Sequence, residues 1–169
     1  VSTYPPSAPG IRLQMALKQR FQNLGGVYML GDMVTNGHLE GNRLMDIHTA
    51  NHKDIPFEAD NFIIATGSFF SHGLQAHLNS ICEPIFNLDV TASGERQQWF
   101  DQNVFETQPY MSFGVVTDSD LHPQIEGQSV KNLYAVGTLL ESANCLKEAS
   151  GAGVSILTAL NAAHNILKR

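Results

Sequence analysis

Two short runs constrain this chain more than any other feature. Phe62-Ile63-Ile64-Ala65 and Leu133-Tyr134-Ala135-Val136 are wholly apolar, and each stops abruptly, at Thr66-Gly67-Ser68 and at Gly137-Thr138. Runs this short, without polar alternation, predict strands buried on both faces. Such strands need cover on both sides, which favours an α/β fold with a largely parallel sheet and flanking helices. In open α/β sheets, ligands sit beyond the C-terminal ends of strands. A glycine there lets the backbone approach a ligand with no Cβ in the way. Thr66, Gly67, Ser68, Gly137 and Thr138 are therefore candidate binding positions. For either glycine alone, a plain strand-ending turn is the competing reading.

A third element joins them. Ser150-Gly151-Ala152-Gly153-Val154 opens a helix predicted over 152–167, with Ile156, Leu160, Ala163 and Leu167 at helical spacing. The free N–H groups and positive dipole end of such a helix suit a phosphate, a ring carbonyl or developing negative charge. Gly151, Ala152, Gly153 and Val154 are candidates on that ground. The run is only half of a G-x-G-x-x-G, since Ile156 occupies the third glycine position. The competing reading is a tight helix entry with Ser150 as N-cap.

Elsewhere the patterns are local. Tyr4 to Gly10 holds three prolines and reads as an extended linker over residues 1–10. A helix is predicted over 11–24, with Leu13, Leu17, Phe21 and Leu24 on one stripe and Gly25-Gly26 ending it. Val27–Leu30 reads as a short strand. From Met33 to Ala50 the turn chemistry of Asn36-Gly37 and Glu40-Gly41-Asn42, with alternation from Leu44, predicts a small antiparallel meander. Asn51–Phe57 is a turn. Residues 68–132 read as a mixed insertion, with Phe113–Thr117 β-like and a turn at Asp118-Ser119-Asp120.

Composition narrows the function. Of 169 residues, 43% are hydrophobic and 15% charged, which fits one folded domain and not a disordered chain. A net charge of −6 argues against a nucleic-acid backbone as the main partner. Cys82 and Cys145 form no C-x-x-C pair, so a disulfide framework or zinc knuckle is not expected, and a reducing, cytoplasmic setting is the simpler reading. No run reaches the roughly 20 apolar residues a membrane helix needs, and Val1–Pro6 has no signal-peptide character.

The order Ala-Thr-Gly (65–67), Asn-Leu-Tyr-Ala-Val-Gly (132–137) and Gly-Ala-Gly-Val (151–154) resembles the second half of the FAD/NAD(P)-binding, Rossmann-like fold of flavoprotein oxidoreductases. Longer segments narrow the resemblance: Gly10-Ile11-Arg12-Leu13-Gln14, 51–56, Thr66-Gly67-Ser68-Phe69-Phe70-Ser71, Glu83-Pro84-Ile85, Leu88-Asp89-Val90, and Phe113-Gly114-Val115 with Thr117-Asp118. Over nearly its whole length the chain is similar to the B-subunit family of bacterial anaerobic glycerol-3-phosphate dehydrogenases. That resemblance implies oxidation of sn-glycerol 3-phosphate to dihydroxyacetone phosphate, with electrons passed towards quinone and fumarate. It implies FMN, or FAD, as cofactor. It also implies two partners: an FAD-containing, catalytic A subunit, and an iron–sulfur C subunit, which holds the complex to the inner membrane. Flavin is then expected near Thr66, Gly67, Ser68, Gly137, Thr138 and Gly151 to Val154.

The chain departs from that pattern in places. Thr138 stands where such flavoproteins carry Asp or Glu, and the loop 138–150 holds Leu139, Leu140, Glu141, Leu146, Lys147 and Glu148 in place of glycines. The G-x-G-x-x-G unit is absent. With the start at Val1 and not Met, this leads to the expectation of a piece cut from a longer protein, inactive and without flavin by itself. A non-catalytic scaffold that keeps the flavin fold, and an independent FAD oxidoreductase, are the alternatives. No catalytic residue and no metal ligand is assigned. His48 and His52 read as surface histidines with no carboxylate nearby, His72 and His77 as flanking a helix start, and Trp99, Phe100, Phe105 and Tyr110 as core in preference to an interface between subunits. Cys145 falls in the loop expected near the cofactor.

Overall fold

The computed structural model describes residues 7–141 and 144–168. In chain order the regular elements are α1 (Ala8–Asn23), β1 (Val34–Glu40), β2 (Arg43–Thr49), β3 (Phe57–Glu58), β4 (Phe62–Ile64), β5 (Gln75–Ala76), β6 (Ile81–Cys82), β7 (Gln124–Ile125), β8 (Gln128–Ser129), β9 (Leu133–Ala135) and α2 (Gly151–Leu167). The chain divides into two units, Val1–Met33 and Val34–Arg169.

In the first unit, α1 starts earlier than the prolines suggest. Ser7 is its N-cap, with Oγ accepting the Gly10 N–H at 3.1 Å, and Pro9 lies in the first turn, where its missing N–H costs nothing. The expected linker is thus helical from Ala8, and its Val1–Pro6 part lies outside the described residues. The helix ends as its glycines predict: Leu24 N–H reaches the Arg20 and Phe21 carbonyls, and Gly26 N–H reaches Phe21 O at 3.1 Å. No residue of α1 is buried, so the Leu13–Leu24 stripe does not serve as core here. Val27–Leu30 is not a strand. The segment turns back on its own helix, with the Tyr28 ring edge-on to Phe21 at 6.5 Å and the Lys18 ammonium over Tyr28 at 5.0 Å.

The second unit opens with the meander. β1, β2 and β3 form a three-stranded antiparallel sheet in that order, turning at Gly41-Asn42. Asn36-Gly37 is not a turn but lies inside β1, beside a bulge; the register that pairs Gly37 with Ile47 draws it into the ladder.

The two glycine-ended runs are neighbours. β4 and β9 pair in parallel, Phe62 with Leu133, Ile63 with Tyr134 and Ile64 with Ala135. β9 is buried on both faces: Leu133 and Ala135 enter the main core with Leu44, Leu74, Leu88, Val115 and Leu139, while Tyr134 and Val136 pack with Ala162 of α2. β4 is buried on one face only, since Ile63 is 52% exposed. This parallel sheet has two strands, and the other ladders are antiparallel, so the largely parallel sheet expected from the sequence is reduced to one pair among the described residues. The fold is a mixed helix–strand architecture around it.

α2 begins one residue before its predicted start. Ser150 occupies the N-cap position, but its hydroxyl donates to Glu148 and does not cap the helix. Its buried side carries the small residues Thr158 and Ala162, one turn apart, and not the predicted stripe: Ile156, Leu160 and Leu167 are each more than 60% exposed. Small residues let the helix approach β9 closely, and the bulky ones are left on the other side.

Asn132 joins the two sheets. Only 1% exposed, it accepts the Leu44 N–H at 2.8 Å and donates to the Leu44 carbonyl at 2.7 Å, giving a core residue of β2 both backbone partners it lacks. Between β4 and β9 the chain runs through short 3-10 turns and two small hairpins, β5–β6 and β7–β8. Phe113–Thr117 forms no strand; Val115 makes single bridges to Val90 and Leu140. Glu83, 1% exposed, is held within this segment by the Ile85 and Phe86 N–H groups at 2.9 and 2.8 Å. Burial pushes its carboxyl above the usual range, against the downward pull of the backbone donors of Phe86, Ile85, Leu88 and Asn87.

Candidate functional site

Beyond Ile64, the backbone turns at Gly67 with φ of +75°, a conformation that favours glycine. A 3-10 turn follows, Phe69–Ser71, closed by Gly73 N–H to Ser68 O at 3.0 Å. Beside it, β9 continues through Val136, whose N–H reaches Ile64 O at 3.1 Å, to Gly137 with φ of +74°. The Gly137 N–H donates to Thr158 Oγ1 at 2.9 Å, and that hydroxyl donates to Val154 O at 2.6 Å. One side chain of α2 thereby fixes where β9 ends relative to the helix entry.

The strand ends are in close approach. A Cβ on Gly67 would lie 2.2 Å from Ser71 Oγ and 3.3 Å from Thr138 Oγ1; one on Gly151 would lie 3.9 Å from Thr138 Cγ2 and 3.7 Å from Cys145 Cβ. These segments, with the Pro109–Ser112 turn, enclose a cavity of about 310 Å³. Ser68, Thr138 and Gly151 line it together with the aromatic side chains of Phe69, Phe70, Tyr110 and Phe113. Phe69 and Tyr110 meet edge to face at 6.1 Å. The volume lies at the lower end of small-molecule pockets, and an apolar wall with a few convergent polar groups is their usual make-up.

The sequence candidates divide accordingly. Ser68, Thr138 and Gly151 line the cavity, and Thr66, Gly67 and Gly137 form the strand ends behind it. The Thr66 hydroxyl is buried with no hydrogen-bond partner among the described residues. Ala152, Gly153 and Val154 are not on the wall; Ala152 and Gly153 are exposed, and nothing lies within 4 Å of a Cβ placed on Gly153. Cys145 does line the cavity. Sequence reasoning missed Met111 and Leu146, and it gave Phe69, Tyr110 and Phe113 no site role, because they come from segments without periodicity. The one signal, for Phe69 and Phe113, was their place in the Gly-Ser-Phe-Phe-Ser and Phe-Gly-Val segments that carry the family resemblance.

The histidines lie elsewhere. Asp46 stands between two of them, with His48 Nε2 at 3.1 Å and His38 Nδ1 at 3.5 Å, so a carboxylate does accompany His48. Cross-strand pairing brings His38 opposite Asp46, a neighbour that sequence spacing conceals. His52 packs edge-on against Phe57. No group of three His, Cys, Asp or Glu suited to a metal occurs among the described residues. His72 caps the 3-10 turn in the left-handed conformation and no α-helix follows it; His77 contacts Cys82 Sγ at 3.4 Å. Asp118 Oδ1 accepts the Asp120 and His122 N–H groups, the turn role its position predicts. Cys82 and Cys145 are free thiols. No helix among the described residues is long and apolar enough to cross a membrane.

Comparison with known proteins gives the chain a family. Residues 1–154 match the family described as FAD binding domain. The chain belongs to that family. Among curated proteins, this FAD binding domain chain is similar to the B subunit of anaerobic glycerol-3-phosphate dehydrogenase from Pectobacterium atrosepticum, at 46% identity over 98% of the chain and 39% of that protein. The same-named protein of Vibrio cholerae is 44% identical over 99% of the chain and 39% of its own length, and that of Yersinia pestis 44% over 98% and 39%. The chain spans about two-fifths of the length of these relatives. No solved structure matches it.

Proposed function

We propose that this chain forms the flavin-ring side of a cofactor site in a B-type subunit of anaerobic glycerol-3-phosphate dehydrogenase. The observation that carries the reading is the convergence of Ser68, Thr138 and Gly151 on one aromatic-walled cavity, in a chain of the FAD binding domain family. The residues present suit a flavin. The paired strands turn at positive-φ glycines that bring Ser68 and Thr138 to the cavity, and the aromatic wall gives a flat ring an apolar face. The unpartnered Thr66 hydroxyl has unspent hydrogen-bonding capacity beside it. The amide groups opening α2 at Gly151 would donate to a ring carbonyl and favour negative charge there.

When bound, a flavin would supply the electron-transfer chemistry by which this subunit links the complex's oxidation of sn-glycerol 3-phosphate to dihydroxyacetone phosphate with its electron acceptor. The chain's own residues position the ring, exclude water with Phe69, Phe70 and Tyr110, and offer the neutral Thr138 hydroxyl to the ribityl chain. In this reading, two companion subunits stand on either side of this chain in the path that carries electrons from the substrate towards quinone or fumarate. One is FAD-bearing and catalytic; the other carries iron–sulfur clusters and holds the assembly at the inner membrane. The whole chain is then one part of a Rossmann-like flavin domain whose pyrophosphate-binding unit these residues do not contain. FMN is the favoured cofactor and FAD the alternative.

A second reading rests on Thr138. A neutral hydroxyl stands where an acid would hold ribityl hydroxyls as an anion, which favours a scaffold that keeps the fold and binds no flavin. One experiment separates the two. A polypeptide extended to the relatives' full length is purified, its visible spectrum recorded, and the supernatant chromatographed after heat denaturation. FMN or FAD near one per chain supports the flavin reading and names the cofactor. A colourless protein in the presence of supplied flavin refutes it in favour of the scaffold.

A further inference from the structure

Trp99, Phe100, Phe105 and Tyr110 belong to one stretch of chain, and the fold treats them differently. Trp99 is buried, with its indole N–H on Ser93 O at 2.6 Å. Phe105 is 95% exposed and its neighbour Val104 76%. The core role expected from sequence therefore holds for Trp99 and fails for Phe105.

An exposed phenylalanine on a loose loop would mean little. This loop is built. Gln108, only 7% exposed, sits at its centre: Oε1 accepts the Asp101 N–H at 3.0 Å, and Nε2 donates to the Asn103 and Glu106 carbonyls at 3.0 and 3.2 Å. Asp101 Oδ1 accepts the Asn103 N–H at 2.7 Å, and Asn103 Oδ1 accepts the Phe105 N–H at 3.2 Å. Tyr110 N–H to Trp99 O at 2.9 Å closes the base, and Lys147 Nζ to Thr107 Oγ1 at 2.6 Å ties the loop to the segment bordering the cavity. Ordering backbone costs conformational entropy, and within this chain that order buries neither Val104 nor Phe105. A pre-ordered aromatic anchor is what a tight interface uses, because its ordering cost is met before binding.

Charge selects the partner. Asp101 and Glu106 flank the tip, on a chain of net charge −6. An anionic bilayer surface attracts basic segments and repels acidic ones. An apolar pocket rimmed by Lys or Arg matches both the tip and its flanks.

We infer that Val104 and Phe105, presented on the Asp101–Gln108 loop, are a docking knob for an apolar, basic-rimmed pocket on a companion subunit. The inference rests on the reading of this chain as part of a multi-subunit dehydrogenase. Tyr110 and Met111, at the base of the loop, line the candidate flavin cavity, so a partner seated there lies beside the redox site.

The test uses the full-length polypeptide and the complex's other subunits, purified separately, with Kd measured for the assembly. Phe105→Ser is expected to weaken association about 30-fold or more, with circular dichroism and bound flavin unchanged, since Phe105 does not line the cavity. Gln108→Ala leaves the apolar tip in place but loosens the loop, and is expected to weaken association about tenfold. An unchanged Kd for Phe105→Ser overturns the inference. So does Phe105-dependent sedimentation with vesicles of phosphatidylcholine and phosphatidylglycerol, which would make the tip a membrane contact. A colourless protein whose association still depends on Phe105 supports the knob while refuting the flavin reading. A flavin-bearing protein whose association ignores Phe105 overturns the knob alone.

Discussion

Asn132→Ala should be among the most damaging single changes in the second unit. The side chain gives Leu44 both backbone partners, at 2.8 and 2.7 Å, across 88 residues of sequence, and both residues are at most 1% exposed. Truncation strands one N–H and one C=O where water does not reach, and the Asp60 carbonyl loses a weaker donor at 3.3 Å. Each orphaned group costs about 1–3 kcal/mol. Allowing for partial relaxation, the expected loss is about 3 kcal/mol. For a chain of this size that corresponds to a fall in Tm of roughly 6–12 °C. Asn132→Asp keeps the shape and one acceptor, but it sets a carboxylate oxygen against the Leu44 carbonyl. It should be at least as harmful at neutral pH. Urea unfolding followed by far-ultraviolet circular dichroism measures both. A loss under about 1 kcal/mol for Asn132→Ala would refute the claim that this side chain joins the meander to the parallel strands.

Three further changes test the site and its supports. Gly67→Ala forces a side chain into a φ of +75° and against Ser71 Oγ, so stability should fall by about 1–2 kcal/mol. Flavin released per full-length chain should fall with it, and unchanged release would detach Gly67 from the site. Thr158→Val keeps the shape of α2 but leaves the Gly137 N–H without its acceptor. It should cost about 1–2 kcal/mol, with faster amide exchange at Gly137; an unaltered exchange rate would show that the strand end is held otherwise. Glu83 has its carboxyl pKa raised by burial. Its contribution to stability is therefore full below the unfolded-state value and is lost as pH rises through the folded-state value. The stability of Glu83→Gln relative to the native protein should accordingly rise with pH from about 4 upward. A difference independent of pH would contradict the raised pKa.

What could be read from the sequence was local. The Gly25-Gly26 pair ends α1 as read, because a cap acts within a turn of the helix it bounds, whereas Ser7 and Pro9, read as linker, open the helix. The apolar runs at 62 and 133 declare strands, because composition and abrupt glycine ends need no partner to be recognised. Among the site candidates, Ser68, Thr138 and Gly151 do meet at the cavity, since glycine-ended strands and a glycine-opened helix each carry their own signature. The remainder of the wall comes from 69–71 and 109–113, where turns and single bridges replace periodicity. Nothing within those segments could have said that Phe69 would meet Tyr110.

The sequence by itself determined the two apolar strands with their glycine ends and the glycine stop of α1, because those choices rest on backbone sterics and on neighbours a few positions away; Val27–Leu30, read as a strand, and Asn36-Gly37, read as a turn, were decided elsewhere. Only the tertiary structure decided which side of each element is inside. β9 is covered on both faces because α2 lies against Tyr134 and Val136, while Ile63 on the adjoining strand is left half open. α2 buries Ala162 and turns Ile156 and Leu160 outward, although periodicity alone favoured the bulky stripe. Trp99 goes in and Phe105 stays out because Gln108 fixes the loop between them. Burial is a property of distant pairs of residues, and no window of sequence contains both members.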